Sequence, residues 1–206
     1  MSDALSTPLA DEYSRPDRRR GARLVLVESG FTAVAMGVHE RFTTAFAIFL
    51  GASAFHIGIF TAVTHLLLAV SQLVGVRLIQ SLGGRRRTLA ITALVSAIPF
   101  LLVALVPLVP AQARIWSLIV VGGLAAALTV ISAPSWGSLV SDLVPRGRRG
   151  RYLGLKVTIM TVVVMIVGPA GALLLDGLGS MVVWGFVTVY GVAVIARLVS
   201  AFIFTR

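Results

Sequence analysis

The stretch Arg77-Leu78-Ile79-Gln80-Ser81-Leu82-Gly83-Gly84-Arg85-Arg86-Arg87-Thr88-Leu89 separates two long apolar runs of the chain. It is one of four places where basic residues collect, the others being residues 15–23, residues 146–156 and Arg206. Together these places hold fifteen of the eighteen Lys and Arg residues, and the turns between them hold only Arg114. Positive charge in every second loop is typical of a multi-span membrane protein whose basic loops face the cytoplasm.

The composition agrees with a membrane protein. Hydrophobic residues make up 57% of the chain, charged residues 13%, and the mean hydropathy is +0.96. A soluble domain of 206 residues cannot bury so much apolar surface. A net charge of +10 would suit nucleic acid, but the arginines lie between apolar runs rather than on one amphipathic face. We therefore expect them to meet anionic lipid headgroups, with no nucleic-acid partner, in the cell membrane of a bacterium (the inner membrane).

The apolar runs predict an all-α, polytopic membrane protein with six transmembrane helices, because about 20 residues cross the hydrocarbon core as a helix. With basic loops inside, both termini are predicted to be cytoplasmic. Residues 1–22 read as a polar, basic cytoplasmic tail, and residues 23–206 as one six-helix bundle. The predicted helices are Leu24–Leu50, His56–Gln80, Thr88–Leu108, Arg114–Leu139, Leu153–Leu175 and Met181–Phe204.

Three motifs carry a resemblance to a known family. The stretch from Arg77 to Leu89 resembles the signature loop of the major facilitator superfamily, an Asp-Arg-x-Gly-Arg-Arg core between the second and third helices. Gly83, Gly84 and the arginines match it, whereas Gln80 or Ser81 stands where the family usually has Asp. Residues 134–145, followed by Arg149-Gly150-Arg151, look like the junction of the fourth and fifth helices of bacterial members. Gly168-Pro169 is similar to the Gly-Pro motif of the family's proton-coupled antiporters.

The resemblance implies one half of the family's twelve-helix fold, built as a 3+3 inverted repeat. It implies a secondary active transporter that moves a small solute by alternating access, with protons as the driving force and efflux as the direction. The missing six-helix half would be a second copy of the chain or a separate chain. The alternative is a truncated or non-transporting six-helix protein that acts as an interaction partner.

The family's loop arginines form charge contacts that close the cytoplasmic side. By resemblance, the predicted cytoplasmic gate comprises Gly83, Gly84, Arg85, Arg86, Arg87 and Asp142. Asp142 would accept Arg85 or Arg86, and the alternative for it is a capping residue before Pro145. Gly168 and Pro169 predict a kink in the fifth helix, because proline removes one backbone hydrogen bond; close packing of small residues is the alternative.

Ionisable residues within the spans are costly in lipid and are therefore functional candidates. Those predicted to serve substrate binding or proton coupling are Glu28, His39, Glu40, Arg41, His65 and Gln72. We expect His39, Glu40, Arg41 and His65 to line one cavity, because they lie at similar depth. The alternatives are that Glu40 and Arg41 face the outer headgroups, or that they form an internal ion pair.

The remaining charges receive structural interpretations. Arg197 is expected to snorkel to the cytoplasmic face, and Asp176 to lie in a turn at the outer surface. The chain has no cysteine, no nucleotide-binding loop, no zinc-helix spacing and no nucleophile elbow. We therefore expect neither a metal nor a cofactor, and no enzyme activity.

Overall fold

The computed structural model describes residues 15–81 and 85–205, of which residues 15–18, 79–81, 85, 86 and 180 are described by their backbone alone. The helices are α1 (Arg15–Phe49), α2 (Ala54–Ser81), α3 (Arg85–Leu105), α4 (Ala111–Val130), α5 (Ala133–Leu143), α6 (Arg149–Gly177) and α7 (Val182–Thr205). They provide six stretches long and apolar enough to cross a membrane, which confirms the predicted all-α polytopic fold. The first helix begins at Arg15, inside the segment assigned to a tail.

The fourth span consists of two helices. Residues 111–143 form one membrane-length stretch, but α4 ends at Val130 and α5 begins at Ala133. Pro134 lies in the first turn of α5. Because proline lacks an N–H and its ring clashes with the carbonyl four residues earlier, the helix breaks before it. The sequence predicted a continuous fourth helix from Arg114 to Leu139, so that prediction is wrong at this break.

The spans pack in a pattern that occurs twice. The first helix packs against α6 and α7, the fourth span packs against α2 and α3, and α3 packs against α7. If the first three spans correspond in order to the last three, α1 corresponds to the fourth span and α2 corresponds to α6. The contact of α1 with α6 then corresponds to the contact of the fourth span with α2. Because a repeat of three spans reverses its direction in the membrane, this is the pattern of an inverted three-helix repeat.

The helix ends that carry the basic loops meet in one apolar cluster. Val25 near the start of α1, Leu89 near the start of α3, Leu143 at the end of α5 and Phe204 near the end of α7 are all buried in it. Nearby, the hydroxyl of Tyr152 donates to the carbonyl oxygen of Ala22 over 2.9 Å. We call this side of the bundle the basic end.

Close approach of the helices depends on glycine at two equivalent contacts. A β-carbon added to Gly75 in α2 would overlap the carbonyl oxygen of Ile131, at the break of the fourth span. A β-carbon added to Gly171 in α6 would overlap the ring of Phe42 in α1. Small residues let membrane helices approach closely, and here they set the spacing of both pairs related by the repeat.

The substitution Gly75→Ala should lower the free energy of unfolding by about 1–3 kcal/mol, the usual cost of overpacking a fitted contact. The neighbouring atom is a backbone carbonyl oxygen, which cannot rotate away as a flexible side chain would. Thermal unfolding of the purified protein in detergent measures the effect. The matched control is Gly58→Ala on the same helix, where an added β-carbon meets no described atom within 4 Å. Equal midpoints for the two variants would contradict the fitted contact.

Candidate functional site

Two neighbouring cavities lie between α1, the fourth span and the helices on either side, α2 and α6. The histidine cavity has a volume of about 300 Å³ and the lysine cavity about 220 Å³, and they share Met36, Thr129 and Val130. The histidine cavity is also lined by His39, Glu40, Thr44, Phe60, Thr64, His65, Leu68, Phe100 and Ala126. The lysine cavity is also lined by Glu28, Ser29, Thr32, Leu89, Ser132, Ala133, Trp136, Lys156 and Met160.

The lysine cavity is the one nearer the basic end. Glu28 precedes His39 by eleven residues on α1, which begins at that end. At about 1.5 Å per residue this places the two side chains ~16 Å apart along the helix. Because the cavities share part of their lining, they adjoin along the face of α1 and form one path, which both polar and apolar side chains line.

The histidine cavity brings together three of the four residues predicted to share a cavity. His39, Glu40 and His65 line it. Arg41 is exposed and lines a different cavity, with Gly168, Pro169 and Asp176. The prediction that Arg41 shares the cavity of its neighbours is wrong, because Arg41 follows His39 by two residues and so points about 200° away from it around α1.

The ring of His39 is held from within the bundle. Thr43 Oγ1 donates to the His39 carbonyl oxygen over 2.7 Å, and it lies 3.2 Å from His39 Nδ1 and 2.7 Å from the Tyr190 hydroxyl. Because the threonine proton goes to the carbonyl, Nδ1 and the tyrosine hydroxyl are the donors to Thr43 Oγ1. In the neutral ring Nε2 is then an acceptor, available to a group in the cavity.

Three polar residues of α2 differ in their exposure and in whether they line a cavity. His65 is exposed and its Nδ1 donates to the carbonyl oxygen of Thr61 over 2.8 Å, so that in the neutral ring Nε2 is an acceptor. Thr64 is buried, and within the described part of the chain its Oγ1 has no hydrogen-bonding partner. Gln72 is exposed and lies outside the lining of both cavities. The hydroxyl of Thr64 is therefore free to form a hydrogen bond with a solute in the histidine cavity.

A buried charge network borders the lysine cavity. Glu28 is 5% exposed, and its Oε1 accepts hydrogen bonds of 2.6 Å from both Thr32 and Ser200. Arg197 is 2% exposed, and donates from Nε to Ser96 Oγ over 2.6 Å and from Nη1 to Thr32 Oγ1 over 2.8 Å. Thr32 thus accepts from the guanidinium and donates to the carboxylate. The network connects α1, α3 and α7.

The prediction that Arg197 snorkels to the cytoplasmic face is wrong. Eight residues separate it from Thr205 at the end of α7, or ~12 Å along the helix, which is beyond the reach of the side chain. The hydroxyls of Thr32 and Ser96 satisfy its donors instead, and Glu28 supplies the opposite charge. Hydropathy alone could not reveal this, since Ser96 and Ser200 read as ordinary small residues of a membrane helix.

Lys156 lies inside a span, whereas its position in the sequence grouped it with the basic loop. It belongs to the second turn of α6 and its Nζ lies 3.1 Å from the centroid of the Trp136 ring. A cation over an indole face is attracted by the ring quadrupole. The Nε1 of Trp136 is buried and has no hydrogen-bonding partner among the described residues. Sequence reasoning missed both side chains as members of a site.

Comparison with known protein families identifies the chain. The sequence model of the Major Facilitator Superfamily matches residues 30–206. The chain belongs to the major facilitator superfamily. No curated protein and no solved structure matches it significantly. The family consists of membrane transporters, so the predicted resemblance is confirmed and the fold is that of a six-helix half of the superfamily.

The signature loop of the superfamily lies largely outside the described residues. Gly83 and Gly84 fall there, and the side chains of Arg85 and Arg86 are not described. Arg87 is exposed, and Asp142 is partly buried near the end of α5. The gate therefore stays a prediction.

Arg149, which follows α5 in the sequence, caps the end of that helix. Its Nε and Nη2 donate to the carbonyl oxygens of Val144 and Ser141 over 3.0 and 2.6 Å.

The fifth span keeps its helix through the Gly-Pro pair. Pro169 lies within α6, which continues to Gly177. Gly168 and Pro169 line the cavity that contains Arg41 and Asp176. The kink predicted for these two residues stays a prediction.

Thr64, which lines the histidine cavity, and Thr43, which holds the ring of His39 from within the bundle, should respond in opposite ways to the loss of their hydroxyl. Thr64→Val should leave the free energy of unfolding unchanged or raise it, because a buried hydroxyl without a partner becomes a methyl group of the same shape. Thr43→Val should lower it by about 1–3 kcal/mol, because the hydroxyl of Tyr190 and Nδ1 of His39 both lose their acceptor. Thermal unfolding in one detergent compares them; a larger loss for Thr64→Val would refute the assignment.

Proposed function

We propose that the chain is one half of a secondary active transporter that moves a small solute by alternating access, coupled to protons. The observation that carries this proposal is the buried Glu28–Thr32–Arg197 network beside the two adjoining cavities. Buried charges are costly in a membrane protein, and they commonly mark solute pathways and proton relays. Solute sites of such transporters lie near the middle of the bilayer. Met36 and His39 of the histidine cavity lie near the midpoint of the membrane-length stretch Arg19–Phe49.

Glu28 is the proposed proton-coupling residue. Its carboxylate oxygen is held by two hydroxyls, and it carries the negative charge that compensates Arg197. Uptake of a proton would therefore weaken the link between α1 and α7. A change in helix packing that follows proton binding is what coupled alternating access requires.

The histidine cavity is the proposed solute site. His39 and His65 each present an acceptor nitrogen, Glu40 adds a carboxylate, and Thr64 adds a hydroxyl without a partner. The Phe60 ring lies 6.1 Å from that of His39 and supplies an apolar wall. Roles for Arg41 and Gln72 in coupling stay predictions, and both would act from outside this cavity.

The direction of transport and the cell membrane of a bacterium belong to the proposal as well. The Gly168-Pro169 pair is the residue pattern that favours efflux by antiport. The alternative is a non-transporting six-helix protein that acts as an interaction partner. It is favoured by the signature loop, where Gln80 or Ser81 stands in place of the family's Asp, and it is opposed by the buried charges, which are costly in a membrane bundle.

Transport by the purified chain tests the proposal. Proteoliposomes loaded with a pH-sensitive dye are given a pH gradient and a panel of anionic, neutral and cationic organic solutes. The wild-type chain should move protons only when its solute is present. Glu28→Gln should abolish this proton movement, because Gln keeps the acceptor oxygen for Thr32 and Ser200 and loses the titrating group. Glu40→Gln should abolish or uncouple transport.

The matched control for these substitutions is Asp176→Asn, at an exposed carboxylate near the end of α6. It should behave as the wild type. Proton movement by Glu28→Gln at the wild-type rate would contradict the coupling role. Failure of every solute class, with correctly inserted protein, would favour the non-transporting alternative.

A second copy of the chain is the proposed partner half. No residue of α6 is buried, and α2 exposes Leu66, so both helices have faces for lipid or another bundle. The arginine bias gives every copy the same orientation, which suits the family's two halves, related by an axis along the membrane normal. Leu66 in α2 and Met165 in α6 lie at similar distances from the basic end, 15 and 16 residues from their helix ends.

Cross-linking in membranes tests this pairing, and the absence of cysteine from the chain makes single reporters possible. The double variant Leu66→Cys/Met165→Cys, treated with a bifunctional maleimide, should form a covalent dimer. The control Leu102→Cys, exposed on α3, should not. A monomer in both cases would contradict the homodimer and favour a separate chain as the other half.

A further inference from the structure

The chain has a single lysine among its eighteen basic residues, and it lies in a cavity rather than in a loop. Lys156 is partly buried in α6, with Nζ 3.1 Å from the ring centroid of Trp136 in α5. Among the described residues its ammonium group has no hydrogen-bonding partner; its contact is the indole face. A lysine is a compact point charge with three donors, so this group retains the capacity to bind a ligand.

The charges around the lysine cavity do not balance. The lining contains one carboxylate, Glu28, and one ammonium, Lys156, and its other described side chains are uncharged. Behind the lining, Arg197 donates to Thr32, which in turn donates to Glu28. The single carboxylate of Glu28 therefore faces two cations, since it acts electrostatically on both the guanidinium of Arg197 and the ammonium of Lys156. One positive charge is left in excess among these three groups. Excess charge in a membrane bundle is costly, and an anion bound beside Lys156 would offset that cost.

The rest of the cavity wall is apolar. Trp136, Met36, Met160 and Leu89 contribute an aromatic ring, two thioethers and a branched alkyl group to a space of about 220 Å³. Ligand sites of this kind combine an apolar lining with few polar groups that fix the orientation. A small ion such as phosphate would leave this wall without contacts, whereas an organic acid would fill it.

We propose that the lysine cavity binds the carboxylate of a small organic anion, with Lys156 as its counter-charge and the Trp136–Met160 wall holding its apolar body. This inference rests on the proposed function, since it names the class of solute that the path accepts. The anion lies on the side of Glu28 away from Arg197, because Arg197 is already occupied by Ser96 and Thr32.

Amine acetylation measures the accessibility of this one side chain. The purified chain contains two kinds of amine, the side chain of Lys156 and the amino terminus, so mass spectrometry after acetylation by an N-hydroxysuccinimide ester resolves each rate. The probes are benzoate, benzamide and benzamidine, which share a ring and differ in charge, and inorganic phosphate. Benzoate should slow acetylation of Lys156 several-fold and leave the amino terminus unaffected. Benzamide, benzamidine and phosphate should slow neither.

Tryptophan fluorescence gives a second measurement without chemical modification. Trp116 and Trp184 are 49% and 63% exposed, so the background Trp116→Phe/Trp184→Phe leaves Trp136 as the reporter. Benzoate should change its emission. Lys156→Gln should weaken benzoate binding by about tenfold or more, and Lys156→Arg should retain most of it, because the charge is kept. The matched control Arg151→Gln, at an exposed position five residues before Lys156, should bind benzoate as the wild type does.

Three outcomes would overturn the inference. Equal protection by benzoate and benzamide would show that the ring and not the charge is recognised. Unchanged benzoate binding in Lys156→Gln would show that the lysine is not the counter-charge. Protection by phosphate alone would show an inorganic anion site. Because these measurements need no transport, benzoate binding without solute movement would refute the proposed function and leave the site standing, whereas transport without benzoate binding would refute the site alone.

Discussion

The guanidinium of Arg197 is buried among three membrane helices, and the packing of these helices has to supply its hydrogen-bond acceptors and an opposite charge. Arg197 is 2% exposed, and alone at that depth its charge would cost several kcal/mol. Ser96 of α3 and Thr32 of α1 accept its hydrogen bonds, and Glu28 supplies the opposite charge through Thr32. Since each partner comes from a particular face of its helix, this one side chain constrains the relative rotation of α1, α3 and α7.

The position of the cavities follows from that central group of helices. The contact between α3 and α7 is lined by buried alanines such as Ala97 and Ala193, so these two backbones lie close together and leave no space between them. The helices α2 and α6 are held mainly at glycine contacts such as Gly75 and Gly171. Space therefore remains where these outer helices meet α1 and the fourth span, and the polar side chains of α1 face it.

The sequence allows the spans to be predicted and leaves their mutual rotation open. The cost of placing residues in lipid is a property of each helix by itself, so hydropathy and the alternation of arginine suffice to predict six spans. The environment of an internal charge depends on which face of another helix lies opposite. Arg41 and Arg197 both read as an arginine within a span, yet one is exposed beside Gly168 and the other is fully enclosed.

In the candidate site, too, the depth of a residue along its helix was predictable from the sequence, and the helix faces that lie opposite it were not. His39, Glu40 and His65 were found together because depth along a helix can be counted from its ends, and depth was the argument that grouped them. Lys156 was missed because it follows a run of arginines in the sequence, where a basic residue is expected to face the lipid headgroups. The break of the fourth span at Pro134 had a local signal, a proline in an apolar helix, and the wall of the lysine cavity begins at that break.

Under the proposed function, the charge balance of the lysine cavity also bears on how the solute and protons would be coupled. When Glu28 takes up a proton, the network loses its one negative charge while Arg197 and Lys156 keep theirs. The excess positive charge then rises by one, and an organic anion binds more favourably beside Lys156. Linkage is reciprocal, so the bound anion in turn favours the proton on Glu28. Partners that favour each other's binding are carried together, and a carrier with this arrangement moves an anion and a proton in the same direction. Under that proposal, the charges of the cavity favour symport, in opposition to the Gly168-Pro169 pair, which resembles a feature of antiporters.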